Sequence, residues 1–305
     1  MSDLLKGFVA AATLLLCALP AQARSVTDAY GETVDVPDQP QRVVALSELD
    51  LDAMLALGKT PVGTVNGRGQ NGVPGYLSER APQIDIIGDL GNVNTELLLE
   101  LQPDLILTAT DRPETLELYR AIAPTVVTAK PGEPWQDSLQ LIANVLGEPE
   151  AADAFTASYQ TRVQQAREAL AAEQGQTMSI VRWNPKGPVY MLEDSFASQI
   201  VKELGFVRPE QQRQPGFTHS QALSLESLDL LDADWLVVGT LAGTGEAAEA
   251  LNQARDTPAF QQLGAVKAGQ MAAVDGSLWT SVGGPLAAMQ VIDDVENLIK
   301  ASARQ

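Results

Sequence analysis

Short apolar runs alternate with helical patterns along the first half of the chain. The run RVVALS at 42–47 predicts a strand, and the segment 48–58 predicts a helix whose leucines and methionine recur near one face before a glycine. Because strands alternate with helices, the pattern indicates a parallel α/β sheet covered on both faces. Further strands are predicted at 61–65, 84–88, 104–109 and 125–129.

A long helix interrupts this rhythm in the middle of the chain. Pro149 fits a first helical turn, and no Gly or Pro follows before Gly175, where the α/β pattern resumes. We predict an α/β fold of two Rossmann-like α/β lobes bridged by a single long α-helix, with a ligand cleft between the lobes. A stiff helical connection holds the lobes at a nearly fixed angle. The predicted units are an N-terminal lobe at 24–147, the connecting helix at 148–174 and a C-terminal lobe at 175–305.

One motif, E-x-L-x-x-L-x-x-D before an apolar run, occurs in both predicted lobes, at 96–104 and at 226–234. In each copy the glutamate, Glu96 or Glu226, falls in the first turn of a short helix, after a capping candidate. A glutamate there also favours the helix dipole by roughly 0.3–1 kcal/mol, which is the alternative interpretation. Matched positions in two lobes favour two exposed carboxylates that dock onto a partner with two basic pockets.

The N-terminus predicts export. One lysine precedes an apolar run and Pro20, and Ala21-Gln22-Ala23 is the small-x-small pattern of a cleavage site, so residues 1–23 are interpreted as a secretory signal peptide. The apolar run is shorter than the roughly 20 residues that span a bilayer. A lipid on Cys17 is the alternative, but the bulky Leu16 before it disfavours that processing.

Composition and charge narrow the class of protein. Hydrophobic residues make up 45% of the chain, which supports real cores, and the net charge of −19 repels phosphate backbones and anionic lipids. We therefore expect no nucleic-acid partner. Enzyme signatures such as G-x-S-x-G, a P-loop and H-E-x-x-H are missing from the sequence, so we predict no catalytic residues and no enzyme.

His219 is the one histidine, and we expect it at the surface of a loop. A receptor for a bare zinc or manganese ion gathers several histidines, which this chain lacks. We therefore predict no metal site and no resident cofactor. Any metal should arrive already chelated.

Several phrases together resemble the periplasmic binding proteins for iron siderophores and vitamin B12. They are LELQPDLIL after Glu96, VVALSELDLDAMLALGKTPVGT, the long central helix and AVDGSLWTSVGGPLAAMQVIDDV, and the resemblance runs from about Gln41 to Lys300. It implies a monomeric periplasmic receptor that captures a ferric siderophore and delivers it to an ABC-transporter permease dimer with its ATPase. The family's permease-docking glutamates match Glu96 and Glu226.

Ligand contacts are expected on loops at the carboxyl ends of strands, where α/β sheets place ligands. Arg112 falls where ferric-citrate-type relatives carry a cleft arginine, and Trp279 where many relatives carry a cleft tryptophan. The residues after Trp279 lack the further arginines of some of those relatives, so a hydroxamate or mixed-ligand siderophore is at least as well supported as ferric citrate. The candidates are Ser47, Glu48, Arg68, Gln70, Thr110, Arg112, Arg182, Trp183, Asn184, Thr240 and Trp279.

Two alternatives stay open at this point. A haem or cobalamin receptor would share the scaffold, and haem would call for an axial ligand from His219, Tyr76, Tyr119 or Tyr190. From a different class, an exported α/β hydrolase or an adhesion module could have a similar shape.

Overall fold

The structure, a computed structural model, describes residues 23–281 and 283–303. The predicted signal peptide, apart from Ala23, and Cys17 lie outside the described residues. Within the described ranges, no helix is long and apolar enough to cross a membrane. The strands are β1 (Ala23–Thr27), β2 (Thr33–Pro37), β3 (Val43–Ala45), β4 (Gly63–Asn66), β5 (Asp85–Asp89), β6 (Asn92–Val93), β7 (Leu105–Thr108), β8 (Thr125–Val127), β9 (Met178–Asn184), β10 (Gly187–Tyr190), β11 (Trp235–Thr240) and β12 (Met271–Asp275).

Helices cover the sheets and connect them. Within the described residues, short 3-10 helices lie at 75–77, 171–173, 210–212 and 225–231. The α-helices are α1 (Glu48–Ala56), α2 (Thr95–Glu100), α3 (Pro113–Arg120), α4 (Trp135–Leu146), α5 (Pro149–Ala169), α6 (Phe196–Glu203), α7 (Glu246–Arg255), α8 (Pro258–Gln261), α9 (Gly264–Lys267), α10 (Gly276–Thr280) and α11 (Pro285–Ser302).

The first lobe is built on a six-stranded sheet in the order β6-β5-β4-β3-β7-β8. All neighbours in it are parallel except β5 and β6. The side chains of β3, β7 and β8 are buried along their whole length, as expected for parallel strands with helices on both faces. The loops after β3, β4 and β7 therefore emerge at one edge of this sheet.

The second lobe is built on a four-stranded sheet in the order β10-β9-β11-β12. Strands β9, β11 and β12 are parallel, and β10 returns antiparallel to β9 through a hairpin. The long helix α5 lies between the two sheets along the chain and covers Pro149–Ala169 of the predicted connection at 148–174. The predicted two-lobe α/β fold is confirmed.

The lobes share more than a connecting helix. One continuous cluster of buried apolar side chains runs from the first sheet through α1, α4, α5 and α11 to the second sheet. Helix α1 packs against both α4 and α11, so it is buried on almost every side. The prediction of one apolar face for this helix was therefore too narrow, since Asp50 and Asp52 are also wholly buried.

The repeated motif has a structural explanation in both lobes. Leu98 and Leu228 are buried, and the closing aspartate accepts hydrogen bonds from the chain that enters a central strand. Asp104 accepts from the backbone N–H groups of Gln41 (2.7 Å) and Arg42 (2.9 Å). Asp234 accepts from the backbone N–H and the hydroxyl of Thr177, both at 2.7 Å. Each aspartate thus anchors the start of its lobe's central strands, which leaves the exposed glutamates outside this bonding.

Candidate ligand-binding site between the lobes

A cavity of about 290 Å³ lies between the lobes at the carboxyl ends of their strands, and we call it the inter-lobe cavity. It shares Leu49, Arg68 and Ala109 with a neighbouring pocket on the first lobe, the adjoining pocket. The residues that line the inter-lobe cavity come from both lobes and include Leu49, Arg68, Lys130, Gly132, Trp135, Arg182, Met191, Phe196, Phe217, His219, Thr280 and Ser281.

Arg182 is the buried positive charge of the inter-lobe cavity. It lies on β9, is 7% exposed, and donates from Nη1 to the carbonyl of Thr280 at 3.3 Å. Its Nε has no hydrogen-bond partner among the described residues. Burial, together with the nearby charge of Arg68, lowers the pKa of Arg182. An anion that entered here would find two guanidinium groups, neither of which forms an ion pair within residues 23–281 and 283–303.

Glu48 and Ser47 build the wall of the adjoining pocket. Ser47 caps α1, since its hydroxyl accepts from the Asp50 N–H at 3.1 Å and donates to the Asp50 carboxylate at 2.6 Å. The Glu48 carboxylate accepts from the Arg68 N–H at 2.7 Å. Burial raises the pKa of Glu48, while the Arg68 N–H and charge act against that rise. Glu48 thereby holds the glycine-rich loop so that Arg68 reaches the cavity.

Thr110 and Arg112 form the outer rim of the adjoining pocket. Arg112 is exposed and immediately precedes α3, and its N–H donates to the Thr110 hydroxyl at 3.4 Å. The structure therefore brings Ser47, Glu48, Arg68, Thr110 and Arg112 together around the adjoining pocket. Arg68 also lines the inter-lobe cavity, where Arg182 lies.

Gln70 and Thr240 lie at a different place, a groove of about 430 Å³ beside the carboxyl end of β11. Gln70 donates to the hydroxyl of Ser277 at 2.6 Å and accepts from the Gly75 N–H at 2.9 Å. Thr240 donates to the carbonyl of Ala242. Gln70 thus bridges the two lobes with both ends of its amide already engaged, and neither residue lines the inter-lobe cavity.

The structure places Trp183 and Trp279, both predicted to contact the ligand, away from the inter-lobe cavity. Successive side chains of a strand point to opposite faces, so Trp183 turns away from the cavity that Arg182 lines. It is 2% exposed and packs against Phe260, with ring centroids 6.0 Å apart. Trp279 is 1% exposed and its indole N–H donates to Asp294 at 2.9 Å. Both rings fill the interior of the protein.

Asn184 is also outside the site. It pairs with Gly187 at the end of the β9–β10 hairpin and lines none of the cavities described above. The reason is that β10 is antiparallel to β9, so the end of β9 is a tight turn rather than a ligand loop.

Several cavity residues were not predicted from the sequence. Trp135 begins α4, and Phe196 begins α6, where each resembled an ordinary buried position of an amphipathic helix. Phe217 is 49% exposed, and a Cβ placed on Gly132 of the opposite lobe would lie 3.1 Å from its ring. In the sequence, the feature that could have identified Phe217 as a cavity residue is its place as a lone aromatic residue in the polar loop QPGFTHS. His219 is exposed, as predicted, but it also lines the inter-lobe cavity.

The chain belongs to the periplasmic binding protein family, whose model matches residues 43–278. The probable siderophore-binding lipoprotein YfiY of Bacillus subtilis (strain 168) is 32% identical over 90% of this chain and 87% of its own length. The achromobactin-binding periplasmic protein of Dickeya dadantii (strain 3937) is 28% identical over 84% of this chain and 85% of its own. The family and both relatives are named as binding proteins.

Solved structures show the same fold. Staphylococcus aureus SirA complexed with staphyloferrin B superimposes with a TM-score of 0.79 at 23% identity, over 91% of this chain and 98% of SirA. The petrobactin-binding protein YclQ of Bacillus subtilis gives a TM-score of 0.76 at 20% identity, over 92% of this chain and 99% of YclQ. In the described part of this chain, no cluster of three or more His, Cys, Asp or Glu side chains is arranged to hold a metal ion.

Proposed function

We propose that this protein is an extracytoplasmic receptor that captures a ferric siderophore between its lobes and delivers it to an ABC importer. The observation that carries the proposal is the inter-lobe cavity, where Arg182 and Arg68 line one space from opposite lobes and neither forms an ion pair with a carboxylate of the described residues. The names of the relatives, which include siderophore-binding and achromobactin-binding proteins, support the same ligand class.

The chemistry of the cavity favours a ferric complex with net negative charge. Guanidinium groups pair with carboxylate or catecholate oxygens, and the burial of Arg182 strengthens its attraction to such oxygens, while Arg68 is exposed. Trp135, Phe196 and Phe217 offer apolar surface to the organic frame of such a complex. We assign the contacts to Ser47, Glu48, Arg68, Thr110, Arg112 and Arg182.

Fluorescence gives the test, because Trp135 lines the inter-lobe cavity, whereas Trp183, Trp235 and Trp279 line none of the cavities described above. The protein is titrated with anionic and neutral ferric siderophores, with haem and with cobalamin. We expect micromolar or tighter quenching by an anionic ferric complex, and the Trp135→Phe variant should lose most of the signal. If none of these compounds quenches the protein, the receptor proposal is wrong. Quenching by haem or cobalamin alone would show that this compound, and not a siderophore, is the ligand.

We further propose that Glu96 and Glu226 dock the loaded receptor onto a permease dimer with its ATPase. Both side chains are exposed, each in the first turn of a short helix, one per lobe. The double variant Glu96→Lys/Glu226→Lys should abolish uptake and leave solution affinity unchanged. Glu100→Lys/Asp229→Lys is the matched control, since these exposed acids lie on the same two helices. Uptake that survives the first change, or fails equally in both, contradicts the assignment.

The lobe boundaries and the route of export complete the proposal. We assign residues 24–147 and 175–305 to the lobes and 148–174 to the connection, with export by a signal peptide cleaved after Ala23 and function as a monomer. The relatives' names include lipoproteins as well as a periplasmic protein, so an acyl group on Cys17 is the competing outcome. Mass spectrometry of the mature chain decides: an N-terminal Arg24 supports cleavage, and a diacylglyceryl cysteine contradicts it.

A further inference from the structure

Asp52 joins two helices that are far apart in the chain. It lies on α1 and is wholly buried, and its carboxylate accepts from the backbone N–H groups of Leu286 (2.7 Å) and Ala287 (2.9 Å). These are the second and third residues of α11, so a side chain of the first lobe caps the closing helix of the chain. A carboxylate in that position satisfies free N–H groups and is favoured by the positive end of the helix dipole.

The chain before α11 is shaped to admit this carboxylate. A Cβ placed on Gly284 would lie 2.7 Å from Cγ of Asp52, and a Cβ on Gly283 would lie 2.6 Å from the Phe196 ring. Only a residue without a side chain lets the backbone pass this close. On the other side, the Tyr76 hydroxyl donates to Asp52 at 2.8 Å. The carboxylate is therefore held by three donors in a tightly packed site.

The contact between Asp52 and the start of α11, which we call the joint, is close in sequence to walls of the proposed ligand-binding site. Helix α1 begins at Glu48, which lines the adjoining pocket, and Asp52 follows about one helical turn later. The segment that leads into α11 contributes Thr280, Ser281 and Gly283 to the opposite side of the inter-lobe cavity. A shift of α11 against α1 would therefore move one wall of the cavity relative to the other.

We propose that Asp52 is a positioning residue that keeps the two walls of the inter-lobe cavity in register before any ligand arrives; its importance for ligand capture rests on the proposed function. Asp52 does not line the cavity and acts through α1 and α11. Elsewhere on the inter-lobe cavity, Phe217 of the second lobe lies close to Gly132 of the first.

The test measures the distance between the lobes in the ligand-free protein. Spin labels are placed on Leu118→Cys in the first lobe and Val207→Cys in the second, both exposed positions, after replacing Cys17, the one cysteine of the sequence, by serine. Double electron–electron resonance then gives the distribution of distances. Asp52→Asn keeps the shape of the side chain but replaces one accepting oxygen by an NH2 group, which then faces a backbone N–H of α11. Because two donors repel each other, the contact weakens, and we expect the distance distribution to broaden about twofold or more.

Asp50→Asn is the matched control. Asp50 is equally buried on the same helix, but its bonds go to Ser47 and Thr128 within the first lobe. It should lower the melting temperature and leave the distance distribution unchanged. Gly284→Ala places a methyl group against the Asp52 carboxylate and should reproduce the broadening. This second variant keeps the test valid if Asp52→Asn fails to fold.

An unchanged distribution in Asp52→Asn and Gly284→Ala overturns the positioning role, and so does equal broadening in Asp50→Asn. Because no ligand is present, these outcomes are independent of whether the protein binds a siderophore. Failure of the fluorescence titration would leave the joint intact, and failure of the distance measurement would leave the ligand assignment intact.

Discussion

Replacing Arg182 by methionine should weaken ligand binding and, at the same time, leave the empty protein as stable as before or more stable. The guanidinium is buried, its Nε has no partner among the described residues, and Arg68 lies close enough to lower its pKa. A buried donor without a partner costs about 1–3 kcal/mol. The bond to the Thr280 carbonyl, at 3.3 Å, returns about 0.5–1.5 kcal/mol. The free energy of unfolding should therefore stay level or rise by about 1 kcal/mol.

Ligand binding, in contrast, should depend on Arg182. A hydrogen bond to a charged group is worth about 1.5–3 kcal/mol, so loss of Arg182 should weaken binding roughly 10- to 150-fold. Urea denaturation of the ligand-free protein gives the stability. Titration with the ferric complex that quenches the wild type most tightly gives the affinity.

Arg208 provides the comparison, because it is a second buried arginine of the same lobe and its hydrogen bonds stabilise the fold. It donates to the carbonyls of Met178 and Met191 and to the side chain of Gln212, and burial lowers its pKa to about 9. Arg208→Met should destabilise the protein. If Arg182→Met behaves in the same way, losing stability and keeping its affinity, Arg182 is a structural residue and the reasoning is refuted.

Three further predictions address the cavity mouth, the repeated motif and the buried carboxyls. Phe217→Ala should raise the ligand dissociation rate about tenfold in stopped-flow measurements, because half of the ring is free to cover the ligand, whereas the distant Val207→Ala should not change it. Asp104→Ala and Asp234→Ala should each lower the free energy of unfolding by about 1–2 kcal/mol, since each loses two anchoring bonds; equal stability to wild type in either urea curve would contradict this. Burial raises the pKa of Asp50 from 3.8 to about 6, so the folded state binds its proton more tightly. Stability from that group is present below pH 4 and lost as pH rises to 6. The stability of wild type relative to Asp50→Asn should therefore fall by about 1–3 kcal/mol from pH 4 to pH 7, and a flat difference would contradict the burial argument.

The fold was largely predictable because its signal is local. Strand runs, the proline that opens α5 and the glycines that end helices each act within a few residues, and the predicted closing helix, from about 285 to 301, matches α11. Cavity contacts at strand ends, such as Glu48, Arg68 and Arg182, were predictable for a related reason. Parallel strands bring their carboxyl ends to one edge whatever the details of packing.

The remaining contacts depend on distant parts of the chain and could not be read from local patterns. Trp183 and Arg182 are neighbours in sequence, and only the packing of helices on both faces of the second sheet decides which of them meets the cavity. The bond between Asp52 and α11 joins residues more than 230 positions apart. Nothing around Asp52 in the sequence distinguishes it from an ordinary polar position on an amphipathic helix.

The central claim is that a ferric siderophore binds between the lobes against Arg68 and Arg182. Equilibrium dialysis with radioactive iron tests it most directly, using anionic ferric complexes with the wild type and with Arg68→Met/Arg182→Met. The account predicts one iron complex retained per protein, with micromolar or tighter affinity, and binding weakened about 100-fold or more in the double variant. Equal retention by both proteins, or no retention of any complex by the wild type, would contradict it.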